Sequence, residues 1–448
     1  MSDDNKMFDD SQPSTDNKLS TDSKLTRRSL LAAAAATAGV VLMKTVGGQT
    51  IQSAGHALHP SPGKKPLKEA DKAAAAPARE PPLPDPTHVP GPPPSAIGTR
   101  SRFETLKLTP SDTSSRTPLQ SLYGIITPSD LHFQRHHGGV PTIDPDKYQL
   151  LIHGMVDRPT VFTLKDLKRF PALSRICFLE CSGNFRGNKP ELTPQEICGL
   201  TSQAEWTGVL LSTLFREVGV SPKATWFLAE GGDAAVMTRS IPIHKGWDDA
   251  MIAYGQNGEA LRPEQGYPGR LLLPGWEGNM NVKWIRRIEV SDKPFMTREE
   301  TSKYTFALKD GKYSQFNFLM DARSIITFPS YPLQIDKGWV EIRGLAWSGR
   351  GRIERVDIST DAGRSWRPAN LNSPVLDKAH TRFTYLWNWD GTETGILSRA
   401  VDDTGYVQPT LAEIAATRGA DLGYHLNPIT AWQIGKDGRV FFKPEKYK

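Results

Sequence analysis

The stretch Ile176-Cys177-Phe178-Leu179-Glu180-Cys181-Ser182-Gly183-Asn184 decides how the fold of this chain is interpreted. Its apolar residues up to Cys181 predict a buried strand, and Ser182-Gly183-Asn184 predicts a loop directly after that strand. Because glycine lets a backbone pass close to a bound molecule, Cys181 stands where a ligand could approach the chain. Taken alone, a single cysteine is more commonly a small buried apolar side chain, so that alternative stays open here.

The cysteine content narrows the classes of protein that fit. The 448-residue chain has three cysteines, Cys177, Cys181 and Cys198, too few for a secreted scaffold built from disulfides. The sequence has no Cys-x-x-Cys pair and no Cys-x-x-Cys-His motif, so we expect no zinc ribbon, no iron–sulfur cluster and no haem on this chain. Cys177 and Cys198 are expected to be structural, with a disulfide between them as an open alternative.

Length and composition indicate a globular protein with two or three domains. Hydrophobic residues make up 38% of the chain and charged residues 23%. Lys plus Arg is 55 against 49 for Asp plus Glu, a formal charge of +6 without the dense basic stripe of a nucleic-acid-binding protein. A few concentrated positive charges would suit a small anionic substrate or an acidic partner.

The N-terminus resembles a bacterial twin-arginine export signal. Arg27 and Arg28 precede an apolar, Ala-rich run that continues to Met43. The run is about 14 residues, whereas a membrane-spanning helix needs roughly 20, so we expect no stable membrane span. We interpret residues 1–57 as the signal and expect a periplasmic protein exported already folded with a cofactor inside. An uncleaved membrane anchor is the alternative.

The next segments predict an extended arm and then a mixed domain. Residues 58–104 are rich in Pro, Ala and Lys and cannot bury a core, which predicts a linker or arm. Residues 105–325 mix short strands and helices, and we expect one α+β domain. Thr163 is the expected N-cap of a helix that stops before Pro171, and apolar residues within 210–218 have helical spacing.

The C-terminal part of the chain has the pattern of an all-β domain. Phe383, Tyr385, Trp387 and Trp389 alternate strictly with other residues, as in a strand with one buried face. Short strands separated by glycine-containing turns recur throughout residues 326–448. This spacing predicts an immunoglobulin-like sandwich.

Five segments resemble, in order, the sulfite oxidase family of molybdenum-cofactor enzymes. The Cys181 stretch is similar to the segment that ligates molybdenum in that family. The other four similar segments are residues 132–148, 206–209, 252–258 and 266–284. Residues 346–366 resemble the family's C-terminal dimerisation domain. The resemblance covers roughly residues 120–435 and implies a molybdopterin domain of the sulfite oxidase type followed by the immunoglobulin-like dimerisation domain.

The resemblance implies a molybdenum–molybdopterin cofactor with Cys181 as the thiolate ligand of the metal, and soft sulfur ligands suit such a centre. Arg270 and Lys283 match the family's positive contacts to the pterin phosphate. The full set of implied cofactor contacts is His132, Phe133, Gln134, Arg135, His136, Cys181, Asp233, Gln265, Arg270, Asn281, Val282 and Lys283. The cofactor would carry the redox chemistry, and the protein would bind and orient it.

The implied catalytic residues are Cys181, Arg135, Arg186 and Tyr254. The two arginines match the family's anion-binding positions, and the planar guanidinium suits an oxyanion. Tyr254 matches the pocket tyrosine, whose hydroxyl can hydrogen-bond an oxo group or carry a proton. The sequence departs from the animal enzymes at two places: Gln265 stands where they have histidine, and Phe185 where they have arginine.

Residues 123–133 and 153–159 resemble one branch of the family, the molybdenum subunits of the sulfane dehydrogenases of bacterial Sox thiosulfate oxidation. The branch implies oxygen-atom transfer from water to a sulfane sulfur on a carrier protein. It also implies a periplasmic, dihaem c-type cytochrome as electron acceptor. We therefore expect a heterotetramer that dimerises through the sandwich.

Three alternatives stay open at this point. The first is a stand-alone sulfite dehydrogenase acting on free sulfite. The second is a periplasmic methionine-sulfoxide reductase, against which the C-terminal sandwich argues because such reductases lack it. The third, from a different class, is an exported binding or adhesion module without catalysis.

Overall fold

The computed structural model describes residues 90–419 and 423–444. The predicted export signal and residues 58–89 of the predicted linker lie outside these ranges. Residues 90–104 are exposed and form neither a helix nor a strand. From Ser95 onward the described residues form one compact unit. None of the helices within the described ranges has the length and apolar character that crossing a membrane requires.

The first domain is built mainly of short strands. They are β1 (Thr109–Pro110), β2 (Ser114–Arg116), β3 (Gln134–Arg135), β4 (Gln149–Gly154), β5 (Thr160–Thr163), β6 (Leu173–Glu180), β7 (Thr201–Leu210), β8 (Trp226–Gly231), β9 (Thr238–Pro242), β10 (Met251–Gln256), β11 (Glu259–Ala260), β12 (Arg270–Leu272), β13 (Ile285–Ser291), β14 (Phe306–Ala307) and β15 (Tyr313–Ser314). The helices are α1 (Leu164–Leu167), α2 (Pro194–Cys198), α3 (Leu211–Val218), α4 (Ile243–Asp248) and α5 (Arg298–Thr301). Two-stranded and three-stranded sheets accompany two larger ones.

Two five-stranded sheets carry this domain. One has the order β5-β4-β13-β8-β9, in which β4 and β13 run parallel and the other neighbours antiparallel. The other has the order β11-β10-β7-β6, with β12 also paired to β10. Apolar residues of both sheets and of α3 share one buried cluster, which includes Ile152, Val209, Leu214, Ile252 and Ile288. The predicted α+β domain is confirmed.

The local helix signals act as predicted, with one difference in length. Thr163 caps α1 through a capping box with Asp166, but α1 ends at Leu167 rather than near residue 170. After Leu167 the N–H groups of Arg169 and Phe170 bond the carbonyls three residues before them, a tighter 3-10-type turn that closes the helix. Helix α3 buries four apolar residues at helical spacing and ends at Gly219, whose φ of 70° is the left-handed conformation of a helix C-cap.

The second domain is a sandwich of two antiparallel sheets. Its elements are β16 (Arg323–Phe328), β17 (Gly338–Trp347), β18 (Ile353–Ser359), β19 (Arg367–Pro368), β20 (Asn370–Asn372), β21 (Thr381–Trp389), β22 (Thr394–Asp402), α6 (Leu411–Arg418), β23 (Ala431–Ile434) and β24 (Val440–Lys443). The sheet orders are β16-β17-β21-β20 and β19-β18-β22-β23-β24. Phe383 and Trp389 are buried in the core between them, which confirms the predicted sandwich. The domain boundary predicted at 325–326 falls inside β16.

The two domains share a buried polar contact beside Cys181. Glu180 ends β6 and is 1% exposed. Its Oε1 accepts a 2.6 Å hydrogen bond from the Arg323 guanidinium, and its Oε2 accepts a 2.7 Å hydrogen bond from Trp347 Nε1. Asn184 donates to the same carboxylate at 3.0 Å. The strand that leads to Cys181 is therefore held by side chains of both domains.

The cysteines correct one expectation. All three are free, so the alternative of a disulfide between Cys177 and Cys198 is wrong. The two belong to separate apolar clusters, with Cys177 in β6 and Cys198 in α2. Burial raises the pKa of Cys177 to about 12 and that of Cys198 to about 11, so both remain thiols that pack as apolar side chains.

Replacing Arg323 tests the interdomain contact. Arg323→Met leaves Glu180 buried without its cation, and we expect the free energy of unfolding to fall by roughly 3–5 kcal/mol. Chemical denaturation of the full chain measures the loss. Arg439→Met is the matched control, because its ion pair with Asp437 is exposed and should contribute less than about 1 kcal/mol. Equal effects of the two substitutions would contradict the structural role of the buried pair.

Candidate active site

A cleft in the first domain brings most of the predicted site residues together. Its empty space is about 700 Å³. It is lined by Phe133, Arg135, His136, His137, Leu179, Cys181, Asp233, Met237, Gln265, Arg270, Gly278, Asn279, Asn281, Val282, Lys283, Trp284 and Tyr304. Ten of the twelve predicted cofactor contacts are among these residues.

Cys181 lies in the first position after β6, with its thiol on the cleft. Its backbone N–H donates to the Leu200 carbonyl at 3.0 Å, and its carbonyl accepts from Asn184 N–H at 2.9 Å. Gly278 packs against it so closely that a Cβ there would lie 2.8 Å from the Glu180 carbonyl oxygen. Burial raises the pKa of the Cys181 thiol, and a bound metal cation would provide the charge that favours the thiolate.

Arg270 is a buried cation on the cleft wall without a carboxylate partner among the described residues. It is 2% exposed, and its terminal nitrogens donate to the carbonyls of Gln265 at 3.0 Å and Asn281 at 2.9 Å. Its Nε has no hydrogen-bond partner. Burial lowers the pKa of Arg270 to about 9. A buried guanidinium satisfied by carbonyls alone is stabilised by an anion at this position.

Lys283 adds a second cation to the same wall. Its Nζ contacts the carbonyls of Arg135 at 3.2 Å and Glu264 at 2.9 Å, and lies 2.8 Å from His136 Nδ1. Burial and then the charge of Arg270 lower the pKa of Lys283 well below its ordinary value. Arg270 and Lys283 line the same cleft and hydrogen-bond backbone carbonyls, an arrangement that fits the phosphate of a pterin cofactor.

Polar side chains beside Arg270 and Lys283 stabilise the walls of the cleft through hydrogen bonds to the backbone. Gln265 uses its amide nitrogen to donate to the Phe133 carbonyl at 2.9 Å. Asn281 accepts from Leu273 N–H at 2.6 Å and donates to the carbonyls of Trp276 and Glu277. Asp233 accepts from Met237 N–H at 3.2 Å. These hydrogen bonds hold the backbone segments that carry Arg270 and Lys283. Gln265 has no charge, and it takes part through its amide hydrogen bond to the Phe133 carbonyl.

Four predicted site residues do not line the cleft. His132 is buried behind it, with its ring against Phe133 and Trp206, and Gln134 bonds His136 rather than facing the space. Arg186 is exposed in the loop after Cys181. Tyr254 lies half-buried in β10, where Lys168 sits 5.9 Å from its ring. Tyr254 is not among the residues that line the cleft, so the structure corrects its predicted place.

Tyr304 is the tyrosine that lines the cleft, and sequence analysis missed it. It follows α5 with a φ of 46°, the left-handed region that a bulky side chain rarely adopts. Its hydroxyl lies 2.9 Å from His137 Nε2, and the Arg239 guanidinium lies 5.0 Å from its ring. It stands in an irregular connection without strand or helix periodicity. Its contact partner His137 lies 167 positions away in the sequence, and such a contact leaves no pattern among neighbouring residues.

The second domain also contacts the residues around the cleft through the segment after α6. His425 donates its backbone N–H to the carbonyl of Ser182, the neighbour of Cys181, at 2.7 Å. Its Nε2 lies 2.6 Å from Glu277, which also binds Arg239 at 2.9 Å. Although burial opposes ionisation, Arg239 and His425 keep the pKa of Glu277 below its ordinary value. Tyr424 packs 5.1 Å from Tyr304.

Comparison with known proteins agrees with this arrangement. Residues 137–299 match the family model described as "Oxidoreductase molybdopterin binding domain", and residues 314–430 match "Mo-co oxidoreductase dimerisation domain". Sulfite oxidase of Gallus gallus is 31% identical over 326 residues, which cover 66% of this chain and 70% of that protein. The chain belongs to the sulfite oxidase family. In this fold Cys181, Arg270 and Lys283 line one cleft, as the resemblance implied.

Three further proteins show how much of this chain the similarity covers. A crystal structure of the sulfane dehydrogenase SoxCD from Paracoccus pantotrophus matches with a TM-score of 0.77 and 44% identity, over 81% of this chain and 97% of that one. The mitochondrial sulfite oxidase of Rattus norvegicus is 30% identical over 66% of this chain and 59% of its own length. The NADH nitrate reductase of Ulva prolifera is 29% identical over 64% of this chain. This chain spans only 38% of that nitrate reductase.

Replacing Arg270 tests the phosphate site of this sulfite oxidase family member. Arg270→Met removes a charge-assisted contact, and we expect about a ten- to hundredfold loss of cofactor affinity. Molybdenum and pterin per chain measure the loss. Without cofactor, the free energy of unfolding of Arg270→Met should be no lower than that of the parent protein, because the substitution removes a buried charge that has no carboxylate partner. Arg262→Met, on the surface of the same segment, is the control, and full cofactor loading of Arg270→Met would refute the assignment.

Proposed function

We propose that this chain is the molybdenum subunit of a periplasmic dehydrogenase that oxidises reduced sulfur by oxygen-atom transfer from water. The observation that carries the proposal is that the Cys181 thiol, the buried Arg270 and the half-buried Lys283 line one cleft. Molybdopterin bound there supplies the two-electron chemistry, with Cys181 as the protein ligand of its metal. The protein residues bind its phosphate, orient it and shape the substrate side of the cleft.

The proposed substrate is a sulfane sulfur carried on a protein. On the cleft wall the Arg and Lys side chains are Arg135, Arg270 and Lys283, and the last two serve the phosphate. Arg135 remains for the substrate, because Arg186 is exposed outside the cleft. One arginine suits a substrate of low charge better than a free oxyanion with two charges. Similarity to a sulfane dehydrogenase supports the same choice.

A stand-alone sulfite dehydrogenase is the second candidate. It is favoured by the curated relatives, several of which are sulfite oxidases at 30–31% identity. Arg135 could bind sulfite, and Tyr304 could hydrogen-bond its oxygens. The two candidates share the cofactor and the reaction class, and they differ in whether the sulfur arrives free or bound to a protein.

We propose a c-type, dihaem cytochrome as the electron acceptor and a homodimer through the sandwich, which together give a heterotetramer. The match to a dimerisation domain over residues 314–430 supports the homodimer. The SoxCD similarity supports a partner subunit. Transfer to a partner is also consistent with a sequence that has no Cys-x-x-Cys-His motif of its own. The sulfur-carrier protein would dock transiently at the cleft.

Substrate comparison on the purified holoprotein tests the proposed function. We expect reduction of cytochrome c to be faster with a carrier-bound sulfane than with sulfite, and Cys181→Ser to lose turnover by about a thousandfold or more because the metal loses its protein ligand. Cys198→Ala is the control, since it removes a buried thiol away from the cleft. Preference for sulfite selects the second candidate. Unchanged turnover of Cys181→Ser would exclude both.

The proposed export has a separate test. Replacing Arg27 and Arg28 by lysine keeps the charge but removes the paired arginines of the twin-arginine signal. We expect the variant to accumulate in the cytoplasm, as cell fractionation would show. Lys18→Arg and Lys24→Arg, which leave the pair intact, should be exported normally. Normal periplasmic yield of the double lysine variant would contradict the twin-arginine assignment.

A further inference from the structure

Two polar side chains lie behind the cleft among apolar neighbours. His132 is 1% exposed and Gln256 is fully buried. They contact Phe133 and Trp206, which belong to an apolar cluster of the first domain. Among the described residues, His132 Nε2 and both polar atoms of the Gln256 amide have no hydrogen-bond partner. Buried polar groups are normally paired with protein atoms or with an ordered water molecule, so these three atoms point to a bound partner.

Both side chains pack beside the indole of Trp206. Gln256 in β10 lies directly opposite Trp206 in β7, and opposite residues of an antiparallel pair project from the same face of the sheet. The His132 imidazole meets the indole edge to face, with ring centroids 5.5 Å apart. The segment that leads to His132 is also tied to the end of β10, since the Asn257 amide nitrogen donates to the Thr127 carbonyl at 2.9 Å. His132 and Gln256 are therefore neighbours.

One nitrogen of the His132 ring is already engaged. Nδ1 lies 3.1 Å from the Phe133 carbonyl oxygen, which can only accept, so Nδ1 carries the proton. Burial is the largest cause that lowers the pKa of His132 to about 3, and the cations Arg270 and Lys283 add to it. The ring is therefore neutral at any working pH. Its Nε2 is left as an acceptor that needs a donor.

We propose that His132 and Gln256 bind one buried water molecule between them, and that this bridge positions the phosphate-binding wall of the cleft. The water donates to His132 Nε2 and accepts from the Gln256 amide nitrogen. Water suits this place because it supplies the donor that Nε2 lacks and is small enough to be enclosed. The inference rests on the proposed function, and it makes His132 a positioning residue for the cofactor site.

The Phe133 carbonyl connects the bridge to the cleft. It accepts from His132 Nδ1 and also from Gln265 Nε2 at 2.9 Å. The backbone carbonyl of Gln265 in turn accepts from the Arg270 guanidinium at 3.0 Å. An imidazole fixed by the bridge therefore holds the carbonyl to which Gln265 is bound, and Gln265 orients Arg270.

Trp206 provides a second connection to the same cation. The Arg270 guanidinium lies 5.1 Å from the centre of the indole ring, within the range of a cation–π contact. The His132 ring packs against that indole. Rotation of the imidazole would disturb both the Phe133 carbonyl and the indole beside Arg270. The position of Arg270 thus depends on His132 through two separate contacts.

A purely structural role for the pair would be to fill the core and satisfy its polar atoms. Gln256→Met and His132→Phe each leave one polar partner alone, whereas the double variant makes both positions apolar. Without cofactor, we expect each single variant of the full chain to unfold about 2–4 °C below the parent protein and the double variant to recover much of that loss. Gln433→Met, at a half-buried position on β23 of the sandwich, is the matched control and should behave as the parent.

Cofactor retention separates positioning from a structural role. We expect pterin release from the holoprotein, followed by fluorescence, to be about tenfold faster in both single variants. It should remain fast in the double variant, because phenylalanine cannot donate to the Phe133 carbonyl. Recovery of both stability and retention in the double variant would show a purely structural pair and overturn the inference. Parent-like retention in all three variants would overturn it as well.

Two observations on the parent holoprotein test the bridge itself. A high-resolution crystal structure should show one water molecule within hydrogen-bonding distance of His132 Nε2 and the Gln256 amide. Nitrogen-15 NMR should show His132 protonated at Nδ1 only, and Gln256→Met should shift the Nε2 resonance. The absence of a shared water, or a proton on Nε2, would overturn the proposal. A parent protein that binds neither molybdenum nor pterin would refute the proposed function instead.

Discussion

The buried carboxylate of Glu180 is the interaction on which the rest of the site depends. It is removed from water, and it is balanced by Arg323 and Trp347 from the second domain and Asn184 from the first. A buried ion pair adds little net stability compared with an apolar pair of the same size. Removing one partner, however, leaves a buried charge without compensation, so only the correct packing of the two domains is favourable. Since Cys181 follows Glu180 directly, the thiol can take its place only when the sandwich has packed against the first domain.

The local charge in this protein depends on which cations are paired with carboxylates, and the overall composition does not reveal it. Behind the Cys181 loop, Arg239 is fully buried and binds two carboxylates, Glu277 and Glu300. On the cleft wall, the buried Arg270 and the half-buried Lys283 bind only carbonyls and a histidine. Positive electrostatic potential is therefore concentrated at one wall of the cleft, although the formal charge of the whole chain is only +6. Backbone carbonyls orient these cations without neutralising them, so an anionic cofactor meets a preorganised site.

The sandwich matches a dimerisation domain, and it also contacts residues beside the cleft. Its loop after α6 binds the Ser182 carbonyl through the His425 amide and places Tyr424 against Tyr304. The loop that carries the thiol is thus held from behind by Glu180 and from the side by His425. Such two-sided support would hold Cys181, the proposed metal ligand, in one position, as catalytic geometry requires.

The sequence by itself determined the elements that depend on short stretches of chain. The strand before Cys181, the Thr163 cap, helix α3 and the alternating strand β21 follow from local periodicity and capping chemistry, and the motifs identified Arg270 and Lys283. Only the tertiary structure decided that Tyr304, rather than Tyr254, lines the cleft together with His137, that Arg186 lies outside it, and that His425 contacts the loop after Cys181. The reason is physical: periodicity and caps are properties of neighbours in sequence. Which side chains meet across 100 or more residues depends on strand register and domain packing, which the local pattern does not contain.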